Sequence, residues 1–464
     1  MRRPFALPLA FALVLSPSVL AACGGDDDDD TSADDGTTDD GTTDDGSGAP
    51  CGEIDGACIE LSPSDDDQTA VQTALIEAQP GDVILMRAGT YEFDLGLSLD
   101  VDGVTLRGEG DDATILSFIG QSEGDEGAGA EGLLVTANDF TMEDIAVEDT
   151  IGDGVKVLGG ARIIFRGVRT EWSSEQSSDN GAYGIYPVQC SDILIEDSIV
   201  RGAADAGIYV GQSERAVVRG NTVENNVAGI EIENTFDADV YDNLATNNTG
   251  GILVFNLPGL EVGDGGRTRV YNNMIIENNG ANFASGGAVA QVPPGTGFVA
   301  LAAHDVEIFG NTISGNITSQ ASVISFQLTA TDITDDTYVP YSDTIWFHDN
   351  TFEGGGDDPQ DLLGAVLAGV VEELGLDAVP DIVVDGNYDP DLVDEDGFLP
   401  PDLNICLSAN EGADFLDLGF VCNSDLAADC VPIITGGLAP ANDPVPYECE
   451  HDPLPEVVLD GVPL

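Results

Sequence analysis

Lysine occurs once in these 464 residues, and lysine and arginine together number only 13 against 86 acidic side chains, for a formal net charge of −73. A chain with so little positive charge excludes nucleic acid as a partner, because phosphate binding needs Lys and Arg to displace counterions. It also repels acidic polysaccharides unless bound cations bridge the two surfaces. No C-x-x-C-H run and no Cys/His spacing for zinc is present, which excludes haem attachment and a zinc site of the usual kind. Long apolar runs are scarce too. The N-terminal one, Phe5 to Leu20, is short for a membrane-spanning helix and is interrupted by Pro8 and Pro17.

That run follows Arg2 and Arg3 and ends in Leu20-Ala21-Ala22-Cys23, which reads as a lipoprotein signal over 1–22 with Cys23 as the lipid-bearing first residue. An ordinary secretory signal that ends near a Cys is the alternative. Residues 24–48 contain only Gly, Asp, Thr, Ser and Ala, including eleven Asp. Such a segment buries nothing and repels itself, so 23–50 is expected to be a disordered tether. Without Arg2, Arg3 and those eleven Asp, 75 acids still face 11 bases. The expected location is the bacterial cell envelope, lipid-anchored at the outer membrane on its periplasmic or surface side, as a monomer.

Export permits disulfides. Cys51 and Cys58 are close enough to bridge locally; Cys406, Cys422, Cys430 and Cys449 allow three pairings. The favoured set is Cys422–Cys430 as a local clip and Cys406–Cys449 as a long closure, with Cys190 free.

Glycine-led strands begin at Gly154, Gly184, Gly207, Gly229 and Gly251, in steps of 30, 23, 22 and 22 residues. Asn-led turns fall at Asn221, Asn243, Asn273, Asn311, Asn350 and Asn387, with Ser198 one step earlier. A fixed period of this size marks a solenoid. The strands are short and β-branched, and no helical pattern separates them, so the expected fold is all-β: a right-handed parallel β-helix. Three residues before each turn stand Met142, Phe165, Ile195, Val218, Val240, Val270, Ile308, Phe347 and Val384, an inward column. One residue nearer the turn stand Glu143, Arg166, Glu196, Arg219, Tyr241, Tyr271, Phe309 and His348, an outward ladder of charge pairs and then aromatics. Residues 51–82 supply an N-terminal cap, with Val71, Leu75 and Ile76 on one face of a helix stopped at Pro80-Gly81. The stack is expected over 83–394, with a second helix inserted at Leu362–Leu374. A Cys-bearing irregular cap is expected over 395–464.

The stretches "NGAYGIYPVQ", "DAGIYVGQS", "NVAGIEIEN", "NTGGILVFNLP" and "NFASGGAVAQVPPGTG" resemble the bacterial parallel β-helix repeat-containing lipoproteins of the pectate-lyase-like superfamily. The resemblance runs from about residue 65 to 460. It implies export, a lipid anchor and, as a possible partner, a di-haem c-type cytochrome often encoded beside such proteins; it implies no activity. The chain lacks the Gly-His-Gly and Arg-Ile-Lys elements of polygalacturonases and the Asp-Pro-His-Glu motif of alginate epimerases.

Aligned on their glycines, the coils place Lys156, Tyr186, Tyr209 and Glu231 two positions on, facing outward. Gln189, Gln212 and Asn234 stand at the strand exits. Tyrosine faces beside amides suit a sugar chain. The candidate ligand-binding residues are therefore Tyr186, Gln189, Tyr209, Gln212, Glu231 and Asn234. Lys156 is the candidate base of a lyase-type proton abstraction. Asp153, Asp179 and Asp205 border the same face and are candidate Ca²⁺ ligands; no other cofactor is expected. The first functional reading is a binding or scaffold module for a polysaccharide or a protein such as the cytochrome. A polysaccharide lyase or glycoside hydrolase is the alternative.

Overall fold

Short β-branched runs punctuated by Gly, Asn and Asp corners turn the chain so that each strand lies beside its counterpart one coil earlier. The computed structural model describes residues 51–463 apart from 53–54, 123–129, 175, 396 and 435–437. The signal segment 1–22, Cys23 and the tether expected over 23–50 lie outside the described residues. Among the described residues the strands form three parallel sheets of twelve, eleven and ten strands, called here the first, second and third. The coil that begins at Ala206 shows the plan. Ala206–Gly211 joins the second sheet, Glu214–Arg219 the first and Thr222–Glu224 the third. The corner after the second sheet is left-handed at Gln189, Gln212 and Asn234, with φ of 56°, 52° and 43°. Amide side chains tolerate that backbone better than β-branched ones.

The inward column from Met142 to Phe347 stacks residue on residue in the first sheet. The same holds for Ile185, Ile208, Ile230, Ile252 and Phe298 in the second. Val384 departs from the expected column: it lies in the second sheet opposite Val323, and Leu407 follows Phe347 instead. Asn387 departs likewise. The turn ladder runs Ser198, Asn221, Asn243, Asn273, Asn311, Asn350 and then Asn410, each side-chain oxygen accepting the backbone N–H of the coil before. The helix inserted at Asp361–Leu374 displaces the next coil, so the fixed spacing fails there. A second ladder, Asn226, Asn248, Asn278 and Asn316, ends on Gln320.

The ends extend the stack. Cys58–Leu61 pairs with Val83–Met86, and Ile405–Ser408 and Phe415–Asp417 add strands beyond residue 394. The capping helix spans Asp67–Glu77 with Val71 and Leu75 fully buried; Ile76, expected on the same face, is 64 % exposed. The disulfides are Cys51–Cys58, Cys406–Cys449 and Cys422–Cys430, and Cys190 is a free buried thiol.

The outward ladder of the first sheet forms as expected. Arg166 and Arg219 both bind Glu196, and Tyr241, Tyr271, Phe309 and His348 stack at 4.7–5.0 Å. The C-terminal segment crosses this face as a strap. The backbone N–H groups of Leu454, Val457 and Asp460 donate to Glu307, Asp239 and Asp192, while Val457, Leu459 and Val462 pack on Leu194 and Val217. Each of those apolar side chains contributes about 1.5–3 kcal/mol of burial before the cost of ordering the strap. Leu459→Asp is expected to release the strap. Thermal unfolding should move down by a few degrees, and limited proteolysis should cut beyond residue 454 while far-ultraviolet circular dichroism stays unchanged.

Candidate active site on the outer face of the second sheet

Alternation along each second-sheet strand turns Ile inward and its neighbour outward. Lys156 therefore stands opposite Tyr186, Tyr209 opposite Glu231, and Glu231 opposite Leu253. The stripe was expected to be open. It is open only at its first end, where the Lys156 side chain is 23 % exposed; Tyr209 is 4 % and Glu231 2 % exposed. The cover is the connection from Asn278 to Gly295. Phe283, Ala288, Val289 and Val292 pack on Tyr183, Tyr186, Tyr209 and Leu253, and the Asn282 side chain braces the loop by donating to the carbonyls of Val289 and Val292. Gly287, at φ 79°, lies directly over Asp205: a Cβ there would stand 3.6 Å from its Oδ2.

Beneath this cover the strands bring four carboxyls and three tyrosines together. The rings of Tyr183, Tyr186 and Tyr209 lie 4.4–4.9 Å apart. Tyr209 donates to Glu233 Oε1 at 2.6 Å, and Tyr183 to Asp205 Oδ2 at 3.3 Å. Glu231 and Glu233 stand two apart on the strand Ala228–Glu233, and their carboxyls act on each other. Glu231 Oε2 is buried and has no hydrogen-bond partner. Burial pushes Glu231 well above the usual carboxylate range, and Asp205 and Glu233 add to the rise. Burial also lifts Glu233, against the Tyr209 hydrogen bond. Burial, with Glu233 adding to it, lifts Asp205 to about 7. Asp153 rises to about 6 through burial, opposed by Lys156. The tyrosines shift up as well, chiefly through burial.

Lys156 lies 3.7 Å from Asp153 and 3.8 Å from Glu131, with its ammonium 4.8 Å from the Tyr186 ring centre. That is the position of a paired cation rather than of a base free to abstract a proton. The amides have a different task from the one expected. Gln189 donates to Glu261, Gln212 accepts from the N–H groups of Glu261 and Val262, and Asn234 bonds Leu257 and Val262. Together they fasten the 257–265 loop and do not face the tyrosines as free sugar-binding groups. Asp179 is exposed, whereas Asp153 and Asp205 are partly buried. Among the described residues no group of three or more His, Cys, Asp or Glu is arranged to hold a metal ion. Tyr183 and Glu233 were not recognised from sequence. Glu233 follows Glu231 by two on one strand, and that alternation was the available signal.

A family model described as "Right handed beta helix region" matches residues 128–288. With the three parallel sheets, it defines the chain as a right-handed parallel β-helix. Among solved structures, an alginate lyase from Paenibacillus sp. aligns at 17% identity over 65% of this chain and 98% of its own, with a TM-score of 0.44. The A-module of an Azotobacter vinelandii mannuronan C-5 epimerase aligns at 17% over 69% and 90%, TM-score 0.43. A pectate lyase aligns at 12% over 80% and 78%, TM-score 0.37. No curated protein sequence matches the chain.

Proposed function

We propose that this chain is an exported, lipid-anchored carbohydrate-active enzyme that takes a glycan at the Lys156–Tyr186 end of the second sheet. The observation that carries the reading is the carboxyl set Asp205, Glu231 and Glu233 beneath the loop, two of them held by tyrosine hydroxyls and the third, Glu231, with a buried oxygen that has no partner. Acid–base cleavage of a glycosidic bond needs one carboxyl that holds a proton near neutral pH and one that does not. Tyr186 supplies the ring on which a sugar face can stack. The burial of Glu231 favours the second reading, a binding module without turnover, because the loop must lift before substrate reaches it.

A polysaccharide panel scored for new reducing ends and for unsaturated uronic acid separates the two. Asp205→Asn is expected to lower turnover at least 100-fold with binding retained. Lys156→Met should leave turnover within a few-fold. Binding without turnover on every polymer would establish the module reading instead. For the anchor, Cys23→Ser is expected to move the protein from membranes to the soluble fraction; a mutant that stays membrane-bound through its N-terminus contradicts it.

A further inference from the structure

The geometry points to a glycan chain end carrying a free amine, a de-N-acetylated hexosamine, as the ligand of the carboxyl cluster; this rests on the glycan reading above. Four carboxyls meet on this face, and the one cation beside them, Lys156, is already held by Asp153 and Glu131 at the outer end. The groups that act on Asp205, Glu231 and Glu233 are other acids and tyrosines. The covering loop brings no charge either: no charged residue occurs from Asn278 to Ala303 in a chain of net charge −73. Two of the three inner carboxyls have a tyrosine donor, and Glu231 Oε2 has none although the residue is 2 % exposed.

A buried acceptor without a donor is costly, and so is a set of neighbouring carboxyls without a cation. An ammonium group corrects both, because it brings three donors and one positive charge. A uronate would add a further carboxylate to the set. An N-acetyl group would bring a single N–H donor and no charge. A multivalent metal ion is the other cationic class, and among the described residues no side-chain set is arranged for one. A chain end fits better than a mid-chain segment, since the stripe closes at Tyr209 and is open at Lys156. The terminal ring would stack on Tyr186 and turn its amine toward Glu231. The chain end would enter from the Lys156 side, with the exposed tip Ser285–Gly287 lifting to admit the amine.

The test is calorimetric titration of the processed full chain with three probes: a glucosamine tetramer, its fully N-acetylated counterpart and a galacturonate tetramer. Salt of about 0.3 M screens attraction to the acidic surface at large. The amine tetramer is expected to bind at least tenfold more tightly than the N-acetylated one, with no uronate binding. It is also expected to release protons, read as a dependence of binding heat on the buffer. Glu231→Gln should cut the preference to under threefold. Glu77→Gln, which removes the same charge from the exposed capping helix, should leave it intact. Equal losses in the two variants mean surface attraction only and overturn the inference. Equal or tighter binding of the N-acetylated or uronate tetramer overturns the amine and leaves the glycan reading standing. Binding of none of the three also overturns the amine, and the polysaccharide panel then decides the broader reading by itself.

Discussion

Asn243→Leu is expected to destabilise the fold by about 4 kcal/mol or more. Leucine keeps the branched outline but brings no donor or acceptor and is somewhat bulkier, so lost hydrogen bonding is the main cost and overpacking adds to it. The Asn243 side chain accepts from the Asn221 backbone N–H and from its Nδ2, both at 3.0 Å. It donates to the Val218 carbonyl at 2.9 Å and to Asn273 Oδ1 at 3.0 Å. Asn243 is only 2 % exposed, so water does not replace these partners. The substitution strands the Asn221 donors and the Val218 carbonyl, each at about 1–3 kcal/mol. Asn247 is the contrasting position: it is exposed and left-handed, with φ 57°, and needs Asn only for its backbone. Asn247→Ala is therefore expected to cost about 1–2 kcal/mol. Urea unfolding of the two variants measures the difference; equal midpoints would mean that the ladder adds nothing beyond turn conformation.

Thermal stability is expected to rise, not fall, as pH is lowered from 8 to about 5. Asp205 and Asp385 are lifted to about 7 and Asp153 to about 6, in each case mainly by burial. Between about pH 4 and their folded values these groups hold protons in the folded chain that the unfolded chain has lost. The folded state then binds more protons, so stability is greatest at the acid end of that window and is lost as pH rises through about 7. Asp385, only 3 % exposed, contributes the largest share, up to about 4 kcal/mol for a rise of roughly three pH units. Carboxylates held low act the other way. Arg162 beside Asp139 keeps it below the usual range, and Arg219 and Arg166 do the same for Glu196 against its burial. Their contribution is lost as pH falls below about 4, which places the optimum near pH 4–5. Relief of self-repulsion in so acidic a chain has the same sign over the upper range. Asp205→Asn separates the two, because it should flatten the slope between pH 5 and 7 while hardly changing net charge. A melting temperature that falls steadily from pH 7 to 5 would contradict the assignment.

The coil was legible because its determinants are local and repeat. Ile208, Ile230 and Ile252 recur at 22 residues, and each Asn turn recurs with them. The second Asn ladder had the same signal, since Asn226, Asn248, Asn278 and Asn316 each follow a first-ladder Asn by five residues. Reading failed where an insertion broke the period. The Asp361–Leu374 helix separates Asn350 from Asn410 by sixty residues, and no spacing rule bridges that interval. The site was half legible. Alternation along the strand predicts that Tyr186, Tyr209 and Glu231 point away from the core. It does not say whether another segment covers them. Phe283, Val289 and Val292 are ordinary apolar residues in a Gly-rich loop, and their packing on Tyr209 is a tertiary outcome. The amides were misread for a related reason: Gln189, Gln212 and Asn234 are equally suited to hold a loop's backbone and to hold a sugar.

The most direct measurement is carbon-13 NMR of the protein labelled at glutamate carboxyl carbons, with the Glu231 and Glu233 signals assigned by the Glu231→Gln and Glu233→Gln variants. The central claim is that these two carboxyls are desolvated and act on each other beside Asp205 beneath the 278–295 loop. One of the two signals should then keep the chemical shift of a protonated carboxyl at pH 7 and move when its partner is replaced. Two signals that titrate independently, both in the ordinary range near pH 4–5, would contradict it.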